Sequence, residues 1–258
     1  MGKNFIGELK GIIDDPKYGY ADDQMMIKTG FRMFDYLNGN KGKTNLNLGI
    51  DAGKIITIIG KPGAGKSTFA VQIAGNILKR YEQSSLFILD FEQAHSESRI
   101  KAVTGLTDEE YEEKVTIKQT GISTETVLEI VTQIKNLKLK YKKELSIENN
   151  EGFIDPKTGK LKVILPPTVV IVDSAAMMMP KDDMFLDEMT GQMSATQAAK
   201  ANTQLMKRLV QPCKEANIIV MFINHINAKI STGAMPTAAS INYLKQDETI
   251  PQKNLVNC

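Results

Sequence analysis

From Ile27 onward the apolar positions alternate between two patterns. Short unbroken runs at Ile55-Ile56-Thr57-Ile58-Ile59, Leu86-Phe87-Ile88-Leu89, Val169-Val170-Ile171-Val172 and Ile218 to Ile223 have the length and β-branched content of strands covered on both faces. Val115-Thr116-Ile117-Lys118-Gln119 adds a further strand. Between these runs the apolar residues recur at helical spacing. Thr68 to Ala74 reads as a helix, and Thr107-Asp108-Glu109-Glu110 is a capping box that opens another. Ser123 or Thr124 caps a helix whose Val127, Val131, Ile134 and Leu137 share one face. Ala195 to Leu209 is a helix expected to kink or end near Pro212. Strands alternating with helices predict an α/β fold, a mostly parallel central sheet flanked by helices.

Two segments depart from this rhythm. Between Gly152 and Ile164, apolar residues flank Asp155-Pro156-Lys157-Thr158-Gly159, a strong turn signal. The reading is an exposed β-hairpin inserted ahead of the Val169–Val172 strand. In residues 1–26, Phe5, Leu9, Ile12 and Ile13 fall on one helical face, and Asp14-Asp15-Pro16 stops the helix. So short a helix does not bury its stripe alone, so it is expected to pack on its own domain or on a neighbouring subunit. The predicted organisation is an N-terminal helix and linker over 1–26, for packing or oligomerisation, and one α/β core over 27–258.

Composition narrows the picture only modestly. A hydrophobic fraction of 42% with 24% charged residues is ordinary for a globular chain. A net charge of +2 is too small to argue for a polyanionic partner, so any nucleic-acid contact must come from a local patch. No apolar stretch approaches the roughly 18 residues that span a bilayer, and the N-terminus lacks a signal-peptide core. The expectation is a cytoplasmic protein without a membrane partner. Cys213 and Cys258 offer neither metal spacing nor a disulfide framework, which suits a reducing compartment.

The most specific chemistry lies after the first long strand. Gly60-Lys61-Pro62-Gly63-Ala64-Gly65-Lys66-Ser67, followed by Thr68, matches the phosphate-binding loop G-x-x-x-x-G-K-[ST]. Its context is the strand–turn–helix that the motif needs. The glycines let backbone N–H groups converge on phosphate oxygens, and the helix N-terminus adds positive potential. Lys66 would reach the β- and γ-phosphates, and Ser67 would offer its hydroxyl to Mg²⁺. The implied ligands are a nucleoside triphosphate and Mg²⁺. Hydrolysis also needs a metal-holding carboxylate, a group that orients water and a sensor of the γ-phosphate. Asp173, at the end of the Val169–Val172 strand and followed by Ser174, stands where the metal carboxylate belongs. Asp90 and Glu92, at and just past the end of the second strand, both qualify to polarise the attacking water. His225 ends the last apolar strand, in reach of the γ-phosphate.

Taken together, these segments resemble the RecA/UvsX recombinases. Ile27-Lys28-Thr29-Gly30-Phe31 with Phe34-Asp35 is similar to the linker and helix that precede the RecA core. Asp90-Phe91-Glu92-Gln93-Ala94 is similar to the family's Asp-x-Glu-His-Ala, whose glutamate is the catalytic base, which implies Glu92 rather than Asp90 in that role. Val172-Asp173-Ser174 resembles the family's Walker B segment, and Phe222-Ile223-Asn224-His225-Ile226 resembles its switch strand, with His in place of Gln as in UvsX-like phage members. The resemblance runs from about Ile27 to about Lys229.

It implies a RecA-like P-loop NTPase core with Glu92, Lys66 and His225 catalytic, and with Asp173 and Ser174 beside the nucleotide. The chain departs from the family at Ser96 and Arg99, which fall where the family usually places its adenine-contacting Asp and Tyr, and Arg99 is expected to stack on the base instead. It further implies a DNA-dependent ATPase that coats single-stranded DNA as a homo-oligomer, a helical filament or a ring, for homologous recombination and repair, with a loader protein as a further partner. DNA would be held by loops around Lys181 to Gln192 and from about Asn227 to Lys253. Relative to the family the core is expected to be truncated, since Cys258 falls about where the second loop hands over to further strands. A hexameric replicative helicase of the DnaB kind and a non-catalytic ATP-binding recombination mediator are the alternatives.

Overall fold

Five of the apolar runs assemble side by side into one sheet. The computed structural model describes residues 25–41, 46–155, 158–182 and 191–226. In chain order the strands are β1 (Met26–Ile27), β2 (Asn40–Lys41), β3 (Leu46–Asn47), β4 (Ile50–Asp51), β5 (Ile55–Gly60), β6 (Ser85–Asp90), β7 (Val115–Lys118), β8 (Ile147–Glu148), β9 (Val163–Ile164), β10 (Thr168–Asp173) and β11 (Ile218–His225). The helices are α1 (Arg32–Asn38), α2 (Lys66–Arg80), α3 (Glu97–Thr104), α4 (Asp108–Lys114), α5 (Thr124–Lys140), α6 (Lys142–Leu145) and α7 (Gly191–Ala216). The main sheet has the order β5-β11-β10-β6-β7, and every pairing in it is parallel.

The run Val169-Val170-Ile171-Val172 shows why this sheet is buried on both faces. Strand geometry sends alternate side chains to opposite sides. Val169 and Ile171 join a core with Ile73, Ile77 and Leu78 of α2. Val170 and Val172 join a second core with Val127 and Val131 of α5 and Leu205 and Leu209 of α7. The β-branched residues therefore serve two cores at once, which is the expected α/β architecture.

The register decides what meets at the carboxyl rim of the sheet. His225 of β11 lies opposite Gly60 of β5, and Asp173 of β10 lies opposite both Asp90 of β6 and Ile223 of β11. Residues from four separate strands are thus delivered to one edge.

Caps and turns follow the sequence closely. Thr107 and Glu110 form the capping box of α4, and Ser123 with Thr126 forms that of α5. Asp155 N donates to Lys160 O at 2.8 Å and Lys162 N to Phe153 O at 3.0 Å, while β8 pairs antiparallel with β9 below them. This is the expected hairpin, and its Ile154 and Val163 are exposed. The hairpin is tied to the core by Glu151, whose carboxylate accepts from Arg80 Nε at 2.6 Å and from the Tyr81 hydroxyl at 3.1 Å.

One local reading is narrowed, since the helix does not end at Pro212, and another is corrected. α7 continues through Pro212 to Ala216. Leu209, Cys213 and Ala216 are fully buried at helical spacing, and this packing holds the last turns together despite the missing donor. On α5 the face drifts, so that Leu137 is 59% exposed and Lys138 takes the inward position. Burial pushes the Lys138 ammonium down to about 7, and Nζ donates to Pro166 O at 2.6 Å and Thr168 Oγ1 at 3.0 Å. Among the described residues, no helix is long and apolar enough to cross a membrane. Of the N-terminal segment, Met25, Met26 and Ile27 are buried, and the amphipathic stripe at Phe5 to Ile13 lies outside the described residues.

Candidate nucleotide site

The loop between β5 and α2 is shaped by glycine. Gly63 and Gly65 sit at φ +74° and +80°, which an L side chain rarely adopts, and Gly65 is the N-cap of α2. With those turns in place the N-terminus of a 15-residue helix opens onto the loop that Gly60, Lys61, Pro62, Gly63 and Ala64 form. Lys66 is the first helical residue and is buried. Its Nζ donates to Lys61 O at 2.9 Å and contacts His225 Nδ1 at 3.3 Å.

From Lys66 a chain of polar contacts runs across the rim. His225 Nε2 lies 3.0 Å from Glu92 Oε1, and the Ser174 hydroxyl donates to the same oxygen at 2.5 Å. Glu92 is held close to β10 by its backbone, since Phe91 N and Glu92 N both donate to Asp173 O, at 2.6 and 3.3 Å. Ser174 is fully buried and directs its hydroxyl to Glu92, and the Asp173–Ser174 peptide is cis. Three side chains from β11, the β6 end and the β10 end therefore meet beside the loop lysine.

Asp173 is buried behind them. Burial alone would raise its carboxyl, but hydrogen bonds from His95 and Ser67 and the nearby imidazoles of His95 and His225 hold it below the usual carboxylate range. The Ser67 hydroxyl and the Asp173 carboxylate are hard oxygen donors near one another, which is the donor set that Mg²⁺ takes. Among the described residues, no group of three or more His, Cys, Asp or Glu could hold a metal. The cation would therefore share its shell with phosphate oxygens and water. The two residues fit such an ion.

Arg99, on α3, extends to the same helix start, with Nη2 donating to Thr68 Oγ1 at 3.2 Å. Ser67, Thr68, His95 and Arg99 line a closed crevice there. Ser96 caps α3 through Arg99 N at 3.4 Å.

Asp90, the other carboxylate at the end of β6, does different work. It is fully buried and accepts from Ala94 N at 3.2 Å, His95 N at 2.9 Å and Gln119 Nε2 at 2.8 Å. Its oxygens are occupied by the turn after β6, whereas Glu92 is exposed at the rim. Sequence reasoning missed His95, whose Nε2 lies 2.9 Å from Asp173 Oδ2. The available signal was faint: one of only two histidines in the chain, five positions past Asp90.

Comparison with known proteins fits this geometry. A family model described as AAA domain matches residues 43–229, well over half of the chain. The chain belongs to that AAA domain family. A shorter stretch of 55 residues, 21% of the chain, is 46% identical to part of the phosphonates import ATP-binding protein PhnC of Lactococcus lactis subsp. cremoris (strain SK11). The match covers 22% of that relative's length. With its parallel sheet and loop, this AAA domain is a P-loop ATPase of the RecA-like class.

Proposed function

We propose that the protein is a DNA-dependent ATPase that coats single-stranded DNA as a homo-oligomer and supports homologous pairing and strand exchange. The observation that carries the catalytic part is Glu92 Oε1, shared by Ser174 and His225 at the edge of the phosphate loop. A carboxylate so held has the position of a general base. It would orient water for in-line attack on the γ-phosphorus and take its proton as the bond to the β–γ bridging oxygen breaks. Lys66 and the loop amides would hold the phosphates, and Ser67 and Asp173 would hold Mg²⁺, which neutralises charge on the β- and γ-oxygens. Arg99 would lie against the base.

The DNA part is supported by the resemblance of Asp90 to Ala94, Val172 to Ser174 and Phe222 to Ile226 to the RecA/UvsX pattern. It is also supported by the place of His225, which touches Lys66 and Glu92 and leads straight into one of the segments expected to hold DNA. Residues 183–190 and 227–258, which make up most of the expected DNA loops, lie outside the described residues. The Asp173-Ser174 and Asn224-His225 pairs favour a recombinase over a DnaB-like helicase. A nuclease-protection assay with a non-hydrolysable ATP analogue tests this. Protection of single-stranded DNA in proportion to bound protein is the expected result. Unwinding of a forked duplex without protection would establish the helicase instead, and nucleotide binding without turnover or protection would leave a mediator.

A further inference from the structure

We infer that His95 is a positioning residue for the metal-binding carboxylate, its ring fixing the direction in which Asp173 faces the cation that accompanies the triphosphate. The inference rests on Asp173 being that metal ligand. The His95 and Asp173 side chains are each 3% exposed, and Nε2 meets Oδ2 at 2.9 Å. The contact is thus made out of water, where a hydrogen bond to a charged oxygen counts for more.

What distinguishes it from a buried polar pair that merely satisfies itself is the way the main chain that carries the imidazole is held at both its N–H and its carbonyl. His95 N donates to Asp90 Oδ2 at 2.9 Å, and His95 O accepts from Gln119 Nε2 at 3.0 Å. The same Gln119 nitrogen donates to Asp90 Oδ2 at 2.8 Å. Asp90 ends β6, Gln119 follows β7 directly, and Asp173 ends β10, so three adjacent strand ends converge on one residue, two on its backbone and one on its ring. Ser67 lies near the same Asp173 carboxylate on the side of the phosphate loop.

A carboxylate turns broadly about its last torsion. Held by His95, it keeps one orientation, and the cation meets a preset oxygen. Outer-shell partners of this kind typically change metal affinity by about 10–100-fold when removed.

The test is a Mg²⁺ titration of the binding of a fluorescent, non-hydrolysable ATP analogue, read by anisotropy in the full chain, with excess EDTA as baseline. His95→Leu should raise the half-saturating Mg²⁺ about tenfold or more, each variant being read against its own EDTA baseline. His95→Gln, whose amide N–H reaches the same oxygen, should stay within about threefold of the parent. A folded His95→Leu within about twofold of the parent would overturn the inference, as would equal impairment in Leu and Gln. Should His95→Leu lack a cooperative melt, Gln119→Leu takes its place, with an expected rise of about threefold and an unchanged value counting against. Asp173→Asn is the control. If that variant keeps the parent's Mg²⁺ dependence, Asp173 is not the ligand and the assignment of the metal site fails first.

Discussion

Lys66 Nζ and His225 Nδ1 lie 3.3 Å apart although 159 positions separate them in the chain. An ammonium only donates, so Nδ1 must accept and the imidazole proton must sit on Nε2, facing Glu92 Oε1 at 3.0 Å. The three groups therefore form a directed chain, from lysine to imidazole to carboxylate. Nitrogen NMR of the protein should show the His225 ring proton on Nε2, facing Glu92, and not on Nδ1. His225→Ala should leave ATP-analogue affinity within about threefold and slow hydrolysis about tenfold. That is the size expected from losing one hydrogen bond to the base, about 1–2 kcal/mol. Unchanged hydrolysis would remove His225 from the mechanism.

Glu92→Gln keeps the shape of the side chain and removes its basicity. The amide still accepts from Ser174 and His225, so packing at the β6 end should persist. Hydrolysis in the presence of single-stranded DNA should fall by about 10²–10⁴-fold, the range of a lost general base, with nucleotide affinity retained. Equal turnover in variant and parent would show that Glu92 is not the base.

Lys138 makes the stability depend on pH far from the nucleotide. Its ammonium titrates at about 7 in the folded chain because it is buried, against an ordinary value of 10.5. Between those pH values the unfolded chain holds a proton that the folded chain lacks, so stability rises with pH across that window. Thermal melts should show the midpoint rising from pH 7 to pH 10. Lys138→Met should flatten that rise. A variant with the parent's slope would place its origin elsewhere.

The legible and illegible parts of this protein divide along contact range. The five-stranded parallel sheet was readable because runs such as Val169–Val172 carry their burial in their own side chains. Glu92, Asp173 and His225 could be singled out because each stands at or just past the carboxyl end of such a run. The roles of Asp90 and His95 were not readable. They follow from β6 lying next to β10 in a register that sets Asp90 opposite Asp173, and no local pattern reports strand order. His95 and Asp173 are 78 positions apart. The drift on α5 was lost for a related reason. Helical spacing offers Leu137 and Lys138 almost equally to the core, and the backbone oxygens of the neighbouring turns, Pro166 O and Asn217 O, select the lysine.

Gly75 offers a test of packing in which two effects oppose each other. It lies inside α2, where alanine would ordinarily stabilise a helix by about 0.5–1 kcal/mol. A Cβ at this position would meet Thr104 Cγ2 at 2.7 Å and Thr104 Cα at 3.0 Å, so α2 and α3 approach through the missing side chain. Thr104 is itself buried and fixed, its hydroxyl donating to Ile100 O at 2.7 Å, so the neighbour cannot swing away freely. Overpacking of this kind costs about 1–3 kcal/mol, more than the helix gain. Gly75→Ala should therefore lower stability in urea by about 1–2 kcal/mol, and, because α3 carries Arg99 to Thr68, weaken nucleotide binding as well. A variant as stable as the parent would mean that the two helices separate at little cost.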